Sequence, residues 1–288
     1  MHEVNAKSIL SAKNGMNLYR GCSHGCIYCD SRSKCYGMTH EFEDIEVKIN
    51  APELLEQALR KKKSRCMIGT GAMCDPYLHI EEKLCLTRRC LTIIERHGFG
   101  LSVLTKSARI LRDLALLKSI NEKAKCVVQM TLTTFDESLC KIVEPHVSTT
   151  AERVEVLKTM RNEGIPTVVW LCPILPFLND TEENLLGILN ACADAGVRGI
   201  LCFGMGMTLR EGNREYYYAA LDRHFPGLKE RYISLYGNSY VLDSPHAARL
   251  MRIFRTFCRS RGIMCQQDEI FAYLNELPED AFEQTSLF

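Results

Sequence analysis

Six times between Met16 and Phe203 a short apolar run gives way to a stretch with apolar residues at helical spacing. No other feature narrows the fold as much. The runs are Met16–Tyr19, Cys66–Thr70, Leu101–Leu104, Cys126–Leu132, Thr167–Cys172 and Gly199–Phe203. The intervening stretches predict helices. They cover Ala51–Arg60, His79–His97 with Gly98 as its stop, a segment from Ser107, and Thr150–Asn162 closed by Gly164. A further helix follows Asp180, which caps it with Glu183 three residues on. Strands joined by helices run parallel, and strands buried on both faces read as continuous apolar runs. The expected fold is α/β: a partial (β/α)6 TIM-like barrel over residues 1–205, two units short of the full eight. Beyond Gly204 the rhythm changes. Residues 206–288 predict a C-terminal helical extension packed on the barrel, with helices over Leu209–His224, Ser244–Arg261 and Asp268–Leu277.

Length and composition set the class. A chain of 288 residues, 46% apolar and 25% charged, suits a soluble domain with a sizeable core. A net charge of +1 gives no global pull toward nucleic acid or anionic lipid. Fifteen cysteines, an odd number without a disulfide framework, predict reduced thiols and a cytoplasmic setting. Met1–Gly21 lacks the apolar core of a signal peptide, and no apolar run is long enough to predict a membrane span.

Three of those cysteines stand apart. Cys22, Cys26 and Cys29 follow the first predicted strand with the spacing C-x3-C-x2-C. A cubane iron–sulfur cluster ordinarily takes four thiolates, so three leave one iron open to a substrate or cofactor. Wrapping a small cube needs an irregular loop, and Gly25 gives it room to turn. A zinc module would want a second close pair of cysteines or histidines, which the sequence lacks. A non-catalytic electron-transfer protein would want a fourth ligand, for which Cys35 is the nearest candidate.

With Tyr28 just before the third cysteine, the triad resembles that of the radical S-adenosylmethionine (SAM) enzymes. The resemblance implies one [4Fe–4S] cluster held by Cys22, Cys26 and Cys29. It further implies SAM on the open iron, a deoxyadenosyl radical that abstracts hydrogen, and a flavodoxin- or ferredoxin-type electron donor. In a parallel barrel the reactive face lies at the C-terminal strand ends. Those ends supply the rest of the candidate set. Gly69, Gly71 and Asp75 stand where the resemblance places the methionyl amino group of SAM. Lys106 and Ser107 follow, the lysine as a point charge for the SAM carboxylate. Thr131 and Thr133 offer hydroxyls toward the ribose, and Pro173 begins an apolar wall on the adenine side. Structural roles compete at each position: a tight turn, a solvated lysine, hydroxyls satisfying strand-end backbone, prolines shaping a loop.

Several segments together resemble the branch related to spore photoproduct lyase, over roughly residues 14 to 200. They are Tyr19-Arg20-Gly21-Cys22 through Cys29, Cys74-Asp75-Pro76-Tyr77, Leu104-Thr105-Lys106-Ser107, Glu144-Pro145 and Pro173 through Asp180. Relatives commonly carry Thr where Cys74 stands and Gly where Phe177 stands. The lyases use a cysteine outside the cluster as hydrogen-atom donor, and the catalytic candidate here is Cys74, near the corresponding strand end. The resemblance implies a nucleic-acid lesion or nucleotide-like substrate, with a peptide or small molecule as the alternative.

Overall fold

In the computed structural model, which describes residues 1–277, the first apolar run does not stay whole. A short strand β1 (His2–Val4) precedes β2 (Gly15–Met16) and β3 (Tyr19–Arg20), with β4 at Glu46–Lys48. Only β2 enters the main sheet. β3 turns away at Asn17 and Leu18 and pairs antiparallel with β4, which also pairs parallel with β1. The expected strand Met16–Tyr19 thus serves two sheets. Tyr19 is sequestered by this turn, donating its hydroxyl to the buried carboxylate of Glu81.

From β4 the chain enters α1 (Ala51–Lys61), whose Leu55 and Leu59 face the core. Next come β5 (Met67–Thr70), α2 (Glu81–Leu84) and α3 (Leu86–Arg96). The long helix expected over His79–His97 is therefore two, with Cys85 between them at φ +49°. The break lets Glu81 turn back and accept hydrogen bonds from the amides of Leu86 and Thr87, both at 3.1 Å, capping α3. β6 (Gly100–Thr105) leads through a 3-10 turn at Ala108–Asp113 into α4 (Leu114–Lys123). β7 (Cys126–Thr131), α5 (Glu137–Val143) and α6 (Thr150–Asn162) follow, then β8 (Thr167–Trp170), α7 (Glu182–Asp194) and β9 (Gly199–Leu201). The N-cap of α7 is Thr181, which accepts from the Asn184 amide. Asp180 instead accepts a buried hydrogen bond from Ser244 at 2.6 Å.

Strands β2, β5, β6, β7, β8 and β9 pair in that order, all parallel, in one six-stranded sheet. Every residue of β7 is buried, and Leu91, Ile94, Leu117, Ile120, Leu157 and Ile188 of the helices share one apolar core with the sheet.

The C-terminal part is less purely helical than expected. β10 (Gly206–Thr208) pairs antiparallel with β11 (Val241–Asp243) around α8 (Asn213–His224) and α9 (Leu228–Tyr236). α10 (Ala247–Ser260) packs on α7, and α11 (Gln267–Asn275) packs on β9. Residues 278–288 of the anticipated extension lie outside the described residues.

Candidate active site

The cysteine loop begins where β3 ends. Gly21 sits at φ +85°, and a Cβ there would come within 2.5 Å of the Phe42 carbonyl oxygen. That close approach lets Phe42 accept the Cys22 amide at 2.9 Å. Further along, the Ile27 amide donates to the Val143 carbonyl at 3.0 Å, and the His146 amide to the His24 carbonyl at 3.1 Å. The loop is thus pinned on one side by the segment before β4 and on the other by the end of α5. Its apolar members Ile27 and Tyr28 pack with Leu175, Met207, Tyr217 and Leu221.

Cys22, Cys26 and Cys29 line one cavity of about 430 Å³ at the C-terminal ends of the parallel strands. Burial pushes the Cys26 and Cys29 thiols up. A hydrogen bond from Cys74 lowers Cys22 against its own burial. Ionising all three of these thiols beside a single lysine is costly unless a multivalent cationic centre lies between them. Among the described residues the triad is not a group whose ligand atoms all lie within 4.8 Å of one another. A single tetrahedral zinc would hold its sulfurs closer than that, at about 2.3 Å each from the ion; a cube spreads its ligands wider. The donor set therefore fits an iron–sulfur cube better than one zinc ion. Cys35 does not line the cavity; it is exposed, and Arg210 donates to its sulfur at 3.3 Å.

Beside the triad lies a buried ionic chain. Lys106 Nζ is 3.8 Å from Cys26 Sγ, 2.6 Å from the Tyr28 hydroxyl and 2.9 Å from Glu144 Oε1. Tyr28 also donates to Glu144. Arg153 donates to Glu144 Oε2 at 2.5 Å and to the Thr131 carbonyl at 2.8 Å. Burial alone would raise the Glu144 carboxyl, but Arg153 and Lys106 outweigh it and hold it far below the usual range. Burial likewise opposes the Lys106 charge, and Cys26, Glu144 and Tyr28 outweigh it and hold the ammonium well above its ordinary value. In the sequence Glu144 belongs to the Glu144-Pro145 segment of the family resemblance, and Arg153 lies within the predicted helix Thr150–Asn162. Their part is to anchor Lys106 and Tyr28 at the cavity wall.

The remaining candidates divide by place. Gly71, Cys74, Asp75, Thr131 and Pro173 line the cavity with the triad, Tyr28 and Lys106. Gly69, Ser107 and Thr133 do not. Gly69 lies inside β5; Ser107 caps the 3-10 turn by accepting from the Arg109 amide; Thr133 is wholly buried beside Thr134. Gly71 sits at φ +100°, where a Cβ would strike the Leu104 carbonyl oxygen at 1.9 Å. Only glycine lets the β5 loop lie against the end of β6. Asp75 accepts from Thr105 Oγ1 at 2.7 Å, the Tyr77 amide at 2.8 Å and the Lys106 amide at 2.7 Å, locking those two strand ends together. Cys74 is buried, its thiol 2.8 Å from the Gly21 carbonyl oxygen. His24 also lines the cavity, and its buried Nε2 has no partner among the described residues.

Several wall residues were not expected. Trp170 borders the cavity and donates to Gln129 Oε1 at 2.7 Å. Phe203 stands edge-on to it at 5.7 Å and is 52% exposed at the mouth. Phe203 ends a predicted strand and Trp170 ends β8, two residues short of the predicted end at Cys172, so reading the strand ends could have found Phe203. Val241 and Asp243 also line the cavity. They come from β11, which carries no sequence signal of its own.

A profile of the Radical SAM superfamily matches residues 16–189. An uncharacterized protein of Mycobacterium tuberculosis is 31% identical over 255 residues, covering 82% of this chain and 73% of its own length. An uncharacterized protein of Methanocaldococcus jannaschii is 34% identical over 183 residues, covering 62% of this chain and 67% of its own. Among solved structures, a spore photoproduct lyase variant superposes with a TM-score of 0.64 at 16% identity, covering 91% of this chain and 80% of the lyase. A radical SAM methyltransferase from Sphaerobacter thermophilus gives 0.51 at 14% identity, over 85% and 62%. The chain belongs to the radical SAM superfamily. Members bind a [4Fe–4S] cluster and SAM, and the donors described above suit both.

Proposed function

We propose that this protein is a radical SAM enzyme whose substrate is a nucleic-acid lesion or a nucleotide-like group. One observation carries the catalytic reading: the three loop cysteines and the Lys106–Glu144–Arg153 chain meet at one cavity. When bound there, the cluster and SAM supply an electron and a carbon-centred radical for hydrogen abstraction. Lys106 offers the ammonium for the SAM carboxylate, held in place by Glu144 and Tyr28. Gly71–Met73 and Pro173 line the same cavity; the former would hold the methionyl part of SAM and the latter its adenine. Cys74 is the candidate hydrogen-atom donor, with Cys172 a second thiol on the same wall.

The substrate class rests on two supports. Solved structures of similar fold include a spore photoproduct lyase with bound AdoMet and dinucleoside spore photoproduct. The Trp170–Phe203 pair gives the mouth an aromatic surface of the kind on which bases stack. A methyltransferase of related fold keeps a peptide or small molecule as the alternative.

The open parallel sheet supports a partial barrel over residues 1–205, with 206–288 as a covering extension. Fifteen free cysteines support a cytoplasmic setting, and no helix among the described residues is long and apolar enough to cross a membrane. A second cavity behind the cluster loop is bordered by Lys141, His146, Arg223 and His224, and suits an acidic flavodoxin- or ferredoxin-type donor.

The test is direct. Anaerobically reconstituted protein, reduced with dithionite and given SAM, should release 5′-deoxyadenosine. Dinucleoside spore photoproduct should raise that yield and be consumed. No deoxyadenosine would overturn the catalytic reading; deoxyadenosine without consumption would overturn the substrate reading alone.

A further inference from the structure

A second ligand cluster lies behind the cysteine loop, on the small N-terminal sheet. His2, on β1, and His40 and Asp44, on the segment before β4, place their ligand atoms within 4.8 Å of one another. The two imidazoles meet edge to face at 4.8 Å. His40 Nδ1 donates to its neighbour's carbonyl, Glu41 O, at 2.9 Å, which leaves Nε2 as the lone-pair nitrogen. That Nε2 is buried and has no hydrogen-bond partner among the described residues; the nearest carboxylate oxygen, of Glu46 on β4, is 3.8 Å away. His2 Nδ1 sits 2.9 Å from Asp44 Oδ2. The other oxygen of Asp44 faces the Met1 α-amine at 2.9 Å.

This is how protein metal ligands are usually prepared. A ligating imidazole commonly donates its second N–H to a carbonyl or carboxylate, which fixes the ring and its tautomer. His40 has that arrangement with Glu41. A buried nitrogen lone pair with nothing to accept is a costly group that a cation would satisfy. Two imidazoles with carboxylates suit zinc, and disfavour the hard oxygen-seeking cations. His2 and Asp44 are 40% and 42% exposed, free enough to close on an ion at about 2.0–2.2 Å.

We propose that His2, His40 and Asp44, with Glu46 as fourth ligand, form a structural zinc site. It joins β1, the segment before β4, and β4. That segment carries Phe42, whose carbonyl accepts the Cys22 amide and whose ring lies under the Arg32 guanidinium at 4.3 Å. The ion therefore braces the support of the first cluster cysteine from behind.

The experiment uses cluster-loaded protein, stripped of loose metal with EDTA and titrated calorimetrically with zinc chloride. The native chain should take up one equivalent with micromolar or tighter affinity. His40→Gln and the exposed-site variant Asp44→Asn should each lose at least tenfold in affinity, while iron content and the absorption near 400 nm stay unchanged. Zinc should also raise the melting temperature of the native chain and not of His40→Gln. Identical isotherms for the native chain and Asp44→Asn would overturn the proposal, as would zinc uptake that displaces iron. The readout is a difference at this site alone, so its failure leaves the reading of the main cavity untouched.

Discussion

At the scale of single residues, the site is a set of charges kept in place by burial. Replacing any one of Cys22, Cys26 or Cys29 by Ala leaves two loop thiolates, and iron content with the thiolate-to-iron absorption should collapse. Cys35→Ala should leave both intact, because that thiol is exposed and turned to Arg210. Lys106→Ala should weaken SAM binding by about 1–3 kcal/mol, as loss of a charge-assisted contact does, without loss of iron; calorimetric titration of the loaded protein checks it. Glu144 carries a pH signature. Its carboxyl is depressed in the fold, so its stabilising contribution is complete above the unfolded value of about 4.3 and drains away as the pH falls below it. Denaturant unfolding of the native chain and of Glu144→Gln should therefore draw together only as the pH falls below about 4.3, and go on doing so toward the depressed folded value; curves that stay parallel there would mean that the carboxylate is not ionised in the fold. The triad, Tyr28 and Lys106 were legible in the sequence because motif spacing and strand ends mark them. The anchoring of Lys106 by Glu144 and Arg153 was not legible, since it joins β6 to the α5–α6 connection and only the fold brings them together.

At the scale of elements, most strands and helices follow from apolar periodicity, and the misses have local causes. The pattern over His79–His97 is continuous, yet Glu81 is drawn into a buried network with Tyr19 and Arg112, and the helix breaks at Cys85 to let it. The strand at Met16 is cut short because its second half pairs with β4, a partner that periodicity cannot name. Asp180 resembled a cap, but it is claimed by Ser244 from a distant segment, which leaves Thr181 to cap α7. Thr181→Ala should accordingly cost about 1 kcal/mol, the usual value of a lost N-cap, while Glu183→Ala should change stability little. Thermal unfolding of the two variants distinguishes them. Phe177 shows the reverse, a sequence oddity explained by the backbone. The family resemblance implies Gly at this position, and the φ of Phe177 is +65°, a region that glycine enters freely. Its ring packs on Tyr232 and beneath Arg231, contacts that offset the strain.

At the scale of the whole molecule, the C-terminal segments complete what the sheet begins. Tyr217, Leu221 and Met207 form one apolar cluster with Cys26, Ile27 and Tyr28 of the cysteine loop. Leu221→Asp should open that cover. The expected result is faster iron loss to a chelator with the sheet still folded, read by absorbance decay alongside far-ultraviolet circular dichroism.

That cover also sets an order of events during synthesis. Tyr217 is made about 190 residues after Cys29, roughly 10–40 s later at ribosomal rates of 5–20 residues per second. Until then the nascent loop lacks the part of its apolar cover that Tyr217 and Leu221 supply. Iron delivery has an open window while the ribosome is still reading, and it narrows once α8 emerges and docks.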